Sequence, residues 1–180
     1  MKPLTQVCLL SILVVSLLGC VRASTPRIVT PDATAKRLEE KIRNLLENAE
    51  HFELLTIDPN FEEGPKESNE FDSVFHDHPI LGRSEVSEGD RARLVNSLYQ
   101  GIAKNNGMHA MCFNPRHALV AATGEDRVEL VICFECLSMN LYLNGKSLGS
   151  VQTERDPGRV FNEVAAKHNL KVDPGWKKAS

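Results

Sequence analysis

Apolar positions change their period several times along this chain, and each change marks an element. Leu38, Ile42, Leu45, Leu46 and Ala49 recur at intervals of three and four, the period of a helix with one buried face. Thr30 followed by Pro31 supplies an N-cap and a proline at the first helical position, so residues 30–50 are predicted to form one helix. The pattern turns strand-like in HFELLTIDP, closed by Pro59, and again in HPILGRSEV. Between them NFEEGPKESNEFD is polar and contains Gly64 and Pro65, the composition of a loop. The helical period returns with Leu94, Val95, Leu98, Tyr99 and Ile102. Ser87 and Asp90 stand at its entry in a varied capping-box spacing, and Asn105, Asn106 and Gly107 stand at its end.

Two long β-type runs follow, MCFNPRHALVAAT and RVELVICFECLSMNLYL, joined by GED. A third, KSLGSVQT, is reached through Asn144 and Gly145, a hairpin signal. A last helix is predicted from Asp156 and Pro157 through Val160, Phe161, Val164 and Ala165, ending near Asn169. The order α-β-β-α-β-β-β-α implies one α+β domain over 30–176, an antiparallel sheet with helices packed on one face. No internal repeat or second domain is evident.

The second β run holds Cys133, Phe134, Glu135 and Cys136. Val128, Leu130, Ile132 and Phe134 share one parity, whereas Leu137, Met139, Leu141 and Leu143 share the other. A regular strand cannot exchange its buried face, so a β-bulge is expected near Cys136. Pro115 in the preceding run supports a break in the ladder at that level. A turn centred on Gly124 and Glu125 sets His117 opposite Ile132, Arg116 opposite Cys133 and Phe113 opposite Cys136. Cys112 is then one position from facing Cys136. A shift of one residue would bring that pair within about 5.5 Å between Cα atoms, the separation of a disulfide, and without it they face apart.

The N-terminus changes the setting of these cysteines. MKPLTQ carries one lysine, and VCLLSILVVSLL is uncharged and of signal-peptide length, short for a membrane span. It closes on LLGC, which resembles a bacterial lipobox with Cys20 as the lipidated residue. That resemblance implies a signal peptide over 1–19, a lipidated tether over 20–29 and attachment to the cell envelope. Val21 after the cysteine favours the outer membrane, with the domain in the periplasm or at the surface. Ordinary secretion, with cleavage after VRA, is the competing reading. Cys112, Cys133 and Cys136 are the thiols left in an oxidising compartment, and an odd number cannot all pair.

Composition adds bounds. Across 180 residues the charged fraction is 25%, the apolar fraction 42% and the net charge −3, an ordinary globular balance that gives no reason to expect nucleic acid as partner. No Ser/His/Asp signature, phosphate-binding glycine loop or zinc-protease helix occurs. His76 and His78 in FHDHP alternate onto one face if extended and offer a metal-binding pair, though surface histidines are commonly just polar.

The cysteines admit three readings. One is packing, alone or with a disulfide between Cys112 and Cys136. Another is zinc held by Cys112, His117, Cys133 and Cys136, the only cofactor the residues suggest. A third is a reactive thiol, with Arg116 near Cys133 and His117 as base. The stretch CFNPRHALVAATGEDRVELVICFEC, with ILGRSEV and VFNEV, resembles an uncharacterised bacterial protein family in which Cys-Phe-x-Pro-Arg-His precedes Ile-Cys-Phe-Glu-Cys, often behind a signal peptide. The resemblance implies no activity, but it singles out Cys112, Pro115, Arg116, His117, Cys133, Glu135 and Cys136. The resulting expectation is a membrane-anchored envelope lipoprotein acting as a non-enzymatic interaction or structural module, its partners the membrane and another envelope protein. The alternatives are a zinc-binding protein and a thiol-dependent redox protein.

Overall fold

The computed structural model describes residues 26–59 and 74–174; the segment expected to be a signal peptide, the expected lipidation site Cys20 and the acidic stretch after Asn60 lie outside them. The order is α1 (Asp32–Arg37), α2 (Glu40–Asn48), β1 (His51–Ile57), β2 (Val74–Phe75), β3 (His78–Glu85), α3 (Glu88–Lys104), β4 (His117–Thr123), β5 (Asp126–Cys133), β6 (Ser138–Leu143), β7 (Lys146–Gln152) and α4 (Pro157–Lys167). The seven strands form one antiparallel sheet in the order β2-β3-β1-β4-β5-β6-β7. Helices pack on it in a single α+β domain, as the pattern of apolar periods implies.

The larger core lies between the sheet and the helices. It takes Ile42, Leu45 and Leu46 from α2, Leu94, Leu98 and Tyr99 from α3, and Phe161, Val164 and Ala165 from α4. Strand alternation adds Leu119 and Ala121 of β4 and Val128, Leu130 and Ile132 of β5. Each fully buried aliphatic side chain contributes about 2 kcal/mol. The intervening residues Ala118, Val120 and Val131 face the other way, into a smaller cluster with Leu55, Ile57 and Phe75. The β2–β3 hairpin turns through His76 and Asp77, both left-handed at φ 46° and 68°.

Three expectations are corrected. The first helix is two: Leu38 is extended (φ −115°, ψ 129°), although no proline or glycine breaks the stretch. The interruption is tertiary, because α1 is fastened to α3 by Thr34 Oγ1 donating to Tyr99 O and Arg37 donating to Ile102 O and Asn105 O. Pro31 is the N-cap residue, and Thr30 instead donates to Glu47. The long cysteine strand is also two: β5 stops at Cys133, residues 134–137 form a turn, and β6 begins at Ser138. A reversal of the chain, not a bulge, exchanges the parity, and the meander gains a strand. The run before β4 is irregular as far as Arg116, and the strand starts two residues after Pro115.

Other elements agree with the sequence reading. Ser87 caps α3, its Oγ accepting from Asp90 N–H. Asn144 and Gly145 turn the β6–β7 hairpin at φ 50° and 76°, a conformation that glycine adopts at little cost. His117 stands opposite Ile132.

Candidate functional site around the cysteine turn

The turn between β5 and β6 carries Phe134 and Glu135 between two cysteines, and its two sides face different surroundings. A disulfide joins Cys133 to Cys136, with Cα atoms 5.2 Å apart, within the range such a bond requires. The expected pairing of Cys112 with Cys136 is therefore not the one formed. Residues three apart on an extended strand diverge, whereas a turn brings them back together.

Cys112 arrives from a loop fixed by α3. Asn105, buried at the end of that helix, donates from Nδ2 to Met108 O at 3.0 Å and to Thr153 O at 2.9 Å, and accepts from Gly107 N–H at 2.7 Å. Ala110 N–H then donates to Cys136 O at 3.0 Å. These bonds lay the loop on the turn. The Cys112 sulfur ends 3.6 Å from the Cys136 sulfur. Cys112 is exposed as a free thiol, whereas Cys133 and Cys136 are 1% and 0% exposed.

Two backbone N–H groups aim at the bonded sulfurs: Asn114 N–H at Cys136 Sγ, 3.3 Å, and Cys136 N–H at Cys133 Sγ, 3.1 Å. Such donors stabilise negative charge that develops on a sulfur as the disulfide opens, since they interact more strongly with a charged acceptor. Either sulfur is thereby a better leaving group.

His117 belongs elsewhere. By strand alternation it lies on the helix-covered face with Leu119, while Cys133 lies with Val131 on the other. Its Nε2–H donates to Asn162 Oδ1 of α4 at 3.0 Å, and its ring packs against Phe134 and Phe161. Burial pushes its pKa down to about 4, against a smaller opposing effect of Asn162 and with added repulsion from Arg116. It is a neutral imidazole well below physiological pH.

On this side the turn walls a cleft of about 880 Å³ between the sheet end and α4. Phe134 and Glu135, the two residues between the cysteines, line it. Arg116, 12% exposed at its side chain, spans Glu135 Oε2 at 3.0 Å and Asp173 Oδ1 at 3.1 Å, tying the turn to the chain beyond α4. Arg155 and Arg159 are balanced by Asp156 and Glu163 in the same wall. Gly158 makes the close approach of α4 possible: a Cβ there would stand 3.1–3.2 Å from three Phe134 carbons.

The structure thus brings Cys112, Cys133 and Cys136 together and places Arg116, Glu135 and His117 on the adjoining cleft, with His117 bonded to Asn162. Asn162, Arg159 and Asp173 were not signalled by the sequence, being polar residues in or after an amphipathic helix. The histidine pair does not alternate along a strand. His76 sits in the turn, stacks on Tyr142 with centroids 3.7 Å apart and bonds Glu129 Oε2 at 2.8 Å. His78 begins β3, and burial lowers its pKa against smaller opposing effects of the Asp58 backbone and the Asp77 carboxylate.

No protein-family model, curated protein or solved structure matches the chain.

Proposed function

We propose that this chain is a cell-envelope domain tethered through Cys20, and that its working part is a three-sulfur centre for thiol–disulfide exchange. The sequence supports the tether through the apolar run closing on LLGC; no helix among the described residues is long and apolar enough to cross a membrane. The observation that carries the exchange reading is the 3.6 Å between the sulfurs of exposed Cys112 and buried Cys136, van der Waals contact between an attacking atom and its target.

The step needs no outside oxidant. Cys112, as thiolate, attacks Cys136 Sγ. The Cys112–Cys136 bond forms as the Cys133–Cys136 bond breaks, and the electron pair departs on Cys133, which takes up the proton Cys112 released. The Cys136 N–H receives the developing Cys133 thiolate. The disulfide thereby moves to the surface, where a thiol of a partner protein or a small thiol reaches Cys112. Its attack there breaks the Cys112–Cys136 bond, forming a mixed disulfide on Cys112 and releasing Cys136 as a thiol. A second thiol, from the partner or another small-thiol molecule, then attacks the partner sulfur and frees Cys112, and the reverse sequence oxidises the partner.

Reduction of the purified chain by glutathione, followed by alkylation and peptide mapping, tests this. Cys133→Ser is expected to trap a Cys112–Cys136 disulfide, and Cys112→Ser to slow reduction of the remaining disulfide by about tenfold or more, because both of its sulfurs are buried. Equal reduction rates with and without Cys112, together with two persistently free thiols in the oxidised Cys133→Ser variant, overturn the reading.

A further inference from the structure

The loop that delivers Cys112 contains two large apolar side chains that are largely exposed. Met111 is 98% exposed and Met108 63% exposed, in the sequence Met108-His109-Ala110-Met111-Cys112. Exposed methionines in a loop that is pinned, not loose, call for an explanation. The Asn105 and Ala110 hydrogen bonds hold the backbone of this loop against the turn, so both methionines belong to the segment that carries Cys112 to Cys136. With the disulfide closed, no three His, Cys, Asp or Glu side chains are gathered as metal ligands among the described residues.

We infer that the reduced protein binds one Cu(I) ion through Cys112 and Cys136, with Cys133 and the thioethers of Met108 and Met111 completing or screening the site. The inference rests on the same three sulfurs as the exchange reading but on their grouping, not on exchange itself. Two thiolates on one tetrahedral zinc ion, at about 2.3 Å each, lie about 3.8 Å apart, and any single metal ion of similar bond length held by the pair needs a similar sulfur separation. The existing 3.6 Å between Cys112 and Cys136 differs from that by a few tenths of an ångström. Reduction by an external dithiol converts the disulfide to two thiols and the dithiol to its own disulfide. Cu(I) then displaces the thiol protons, and no further electrons move.

Ligand softness selects the ion. Thioether and thiolate sulfur are soft donors that suit Cu(I), whereas structural zinc takes thiolate, imidazole or carboxylate and leaves methionine unused. His117, the imidazole the sequence offered for zinc, is on the opposite face and bonded to Asn162. His109 lies in the loop itself, so Cys112, Cys133, Cys136 and His109 make zinc the competitor to test.

The full chain is reduced with dithiothreitol, desalted without oxygen and titrated with Cu(I) against bicinchoninate, and separately with Zn(II) against a chromophoric chelator. The expected result is one Cu(I) retained per chain, with affinity lowered about tenfold in the double variant Met108→Leu, Met111→Leu and lost in Cys112→Ser. Both methionines are exposed, so leucine leaves the fold intact, which far-ultraviolet circular dichroism checks. Failure of the reduced chain to hold Cu(I), or undiminished binding by the methionine variant, overturns the inference, as does zinc held one per chain while copper passes to bicinchoninate. Exchange is measured separately on metal-free protein, so loss of copper binding with exchange intact refutes this inference alone.

Discussion

Acidification from pH 7 to pH 4 should destabilise the domain, and His117 has a separable share in that loss. In the unfolded chain its imidazole titrates near 6.5, and in the fold near 4. Between those values the unfolded state binds a proton that the folded state refuses, so stability rises with pH there and falls as pH is lowered. The difference of about 2.5 units, at 1.36 kcal/mol each, corresponds to roughly 3 kcal/mol lost by pH 4, with a slope a little above 1 kcal/mol per pH unit near pH 5. Below the folded value both states are protonated and the dependence ends. Carboxylates also titrate in this range, so wild type is compared with His117→Gln, whose amide still donates to Asn162 but does not titrate. Urea unfolding at half-unit steps gives both curves, and their difference isolates residue 117. Parallel curves would show that the imidazole charges freely in the fold, and the account of a neutral ring sealed between Phe134, Phe161 and Asn162 would be wrong.

Two other substitutions probe what holds the site in position. Gly101→Ala should be destabilising by about 1–2 kcal/mol in urea unfolding although alanine is the better helix former: the new Cβ meets Thr153 Oγ1 and, at 2.7 Å, Pro157 Cγ, and overpacking outweighs the propensity gain of about 1 kcal/mol. A variant as stable as the parent refutes this. Asp90→Ala should cost about 2 kcal/mol at neutral pH, because this buried carboxylate accepts from Lys167 at 2.7 Å and His168 at 3.1 Å at the end of α4 and from the Ser87 hydroxyl at 3.1 Å. Burial works against its charge, but the bonds from Lys167, His168 and Ser87 outweigh it and hold the pKa below 3.8. Its contribution is therefore present above pH 3.8 and lost as pH falls through the lower folded value; a cost at pH 7 no greater than at pH 2.5 would contradict that sign.

Much of the fold was legible because it follows from period alone. The stripe of α3 and the residues Phe161, Val164 and Ala165 of α4 are buried as the three-and-four spacing requires, and the β4–β5 register follows from the position of the Gly124 turn. The split of the first helix was not legible, since what stops α1 is a set of side-chain bonds to α3 made 65 residues away in sequence. Hydrophobic spacing continues through such a break: Leu38 is buried whether or not it is helical.

The cysteine turn fails for a subtler reason. A chain reversal between two half-buried strands and a bulge in one strand produce the same change of parity, and Phe134, Glu135 and Leu137 carry none of the usual turn chemistry. Leu137 takes a left-handed conformation (φ 58°) where glycine or asparagine is usual. The covalent closure of Cys133 to Cys136 and the bonds from Ala110 N–H and Thr153 N–H to the carbonyls of Cys136 and Leu137 accompany that conformation in place of local propensity. A turn that depends on distant partners is invisible to a reading of neighbours. The same dependence makes it sensitive to the oxidation state of its own sulfurs, since opening the disulfide removes one of the constraints that local sequence does not replace.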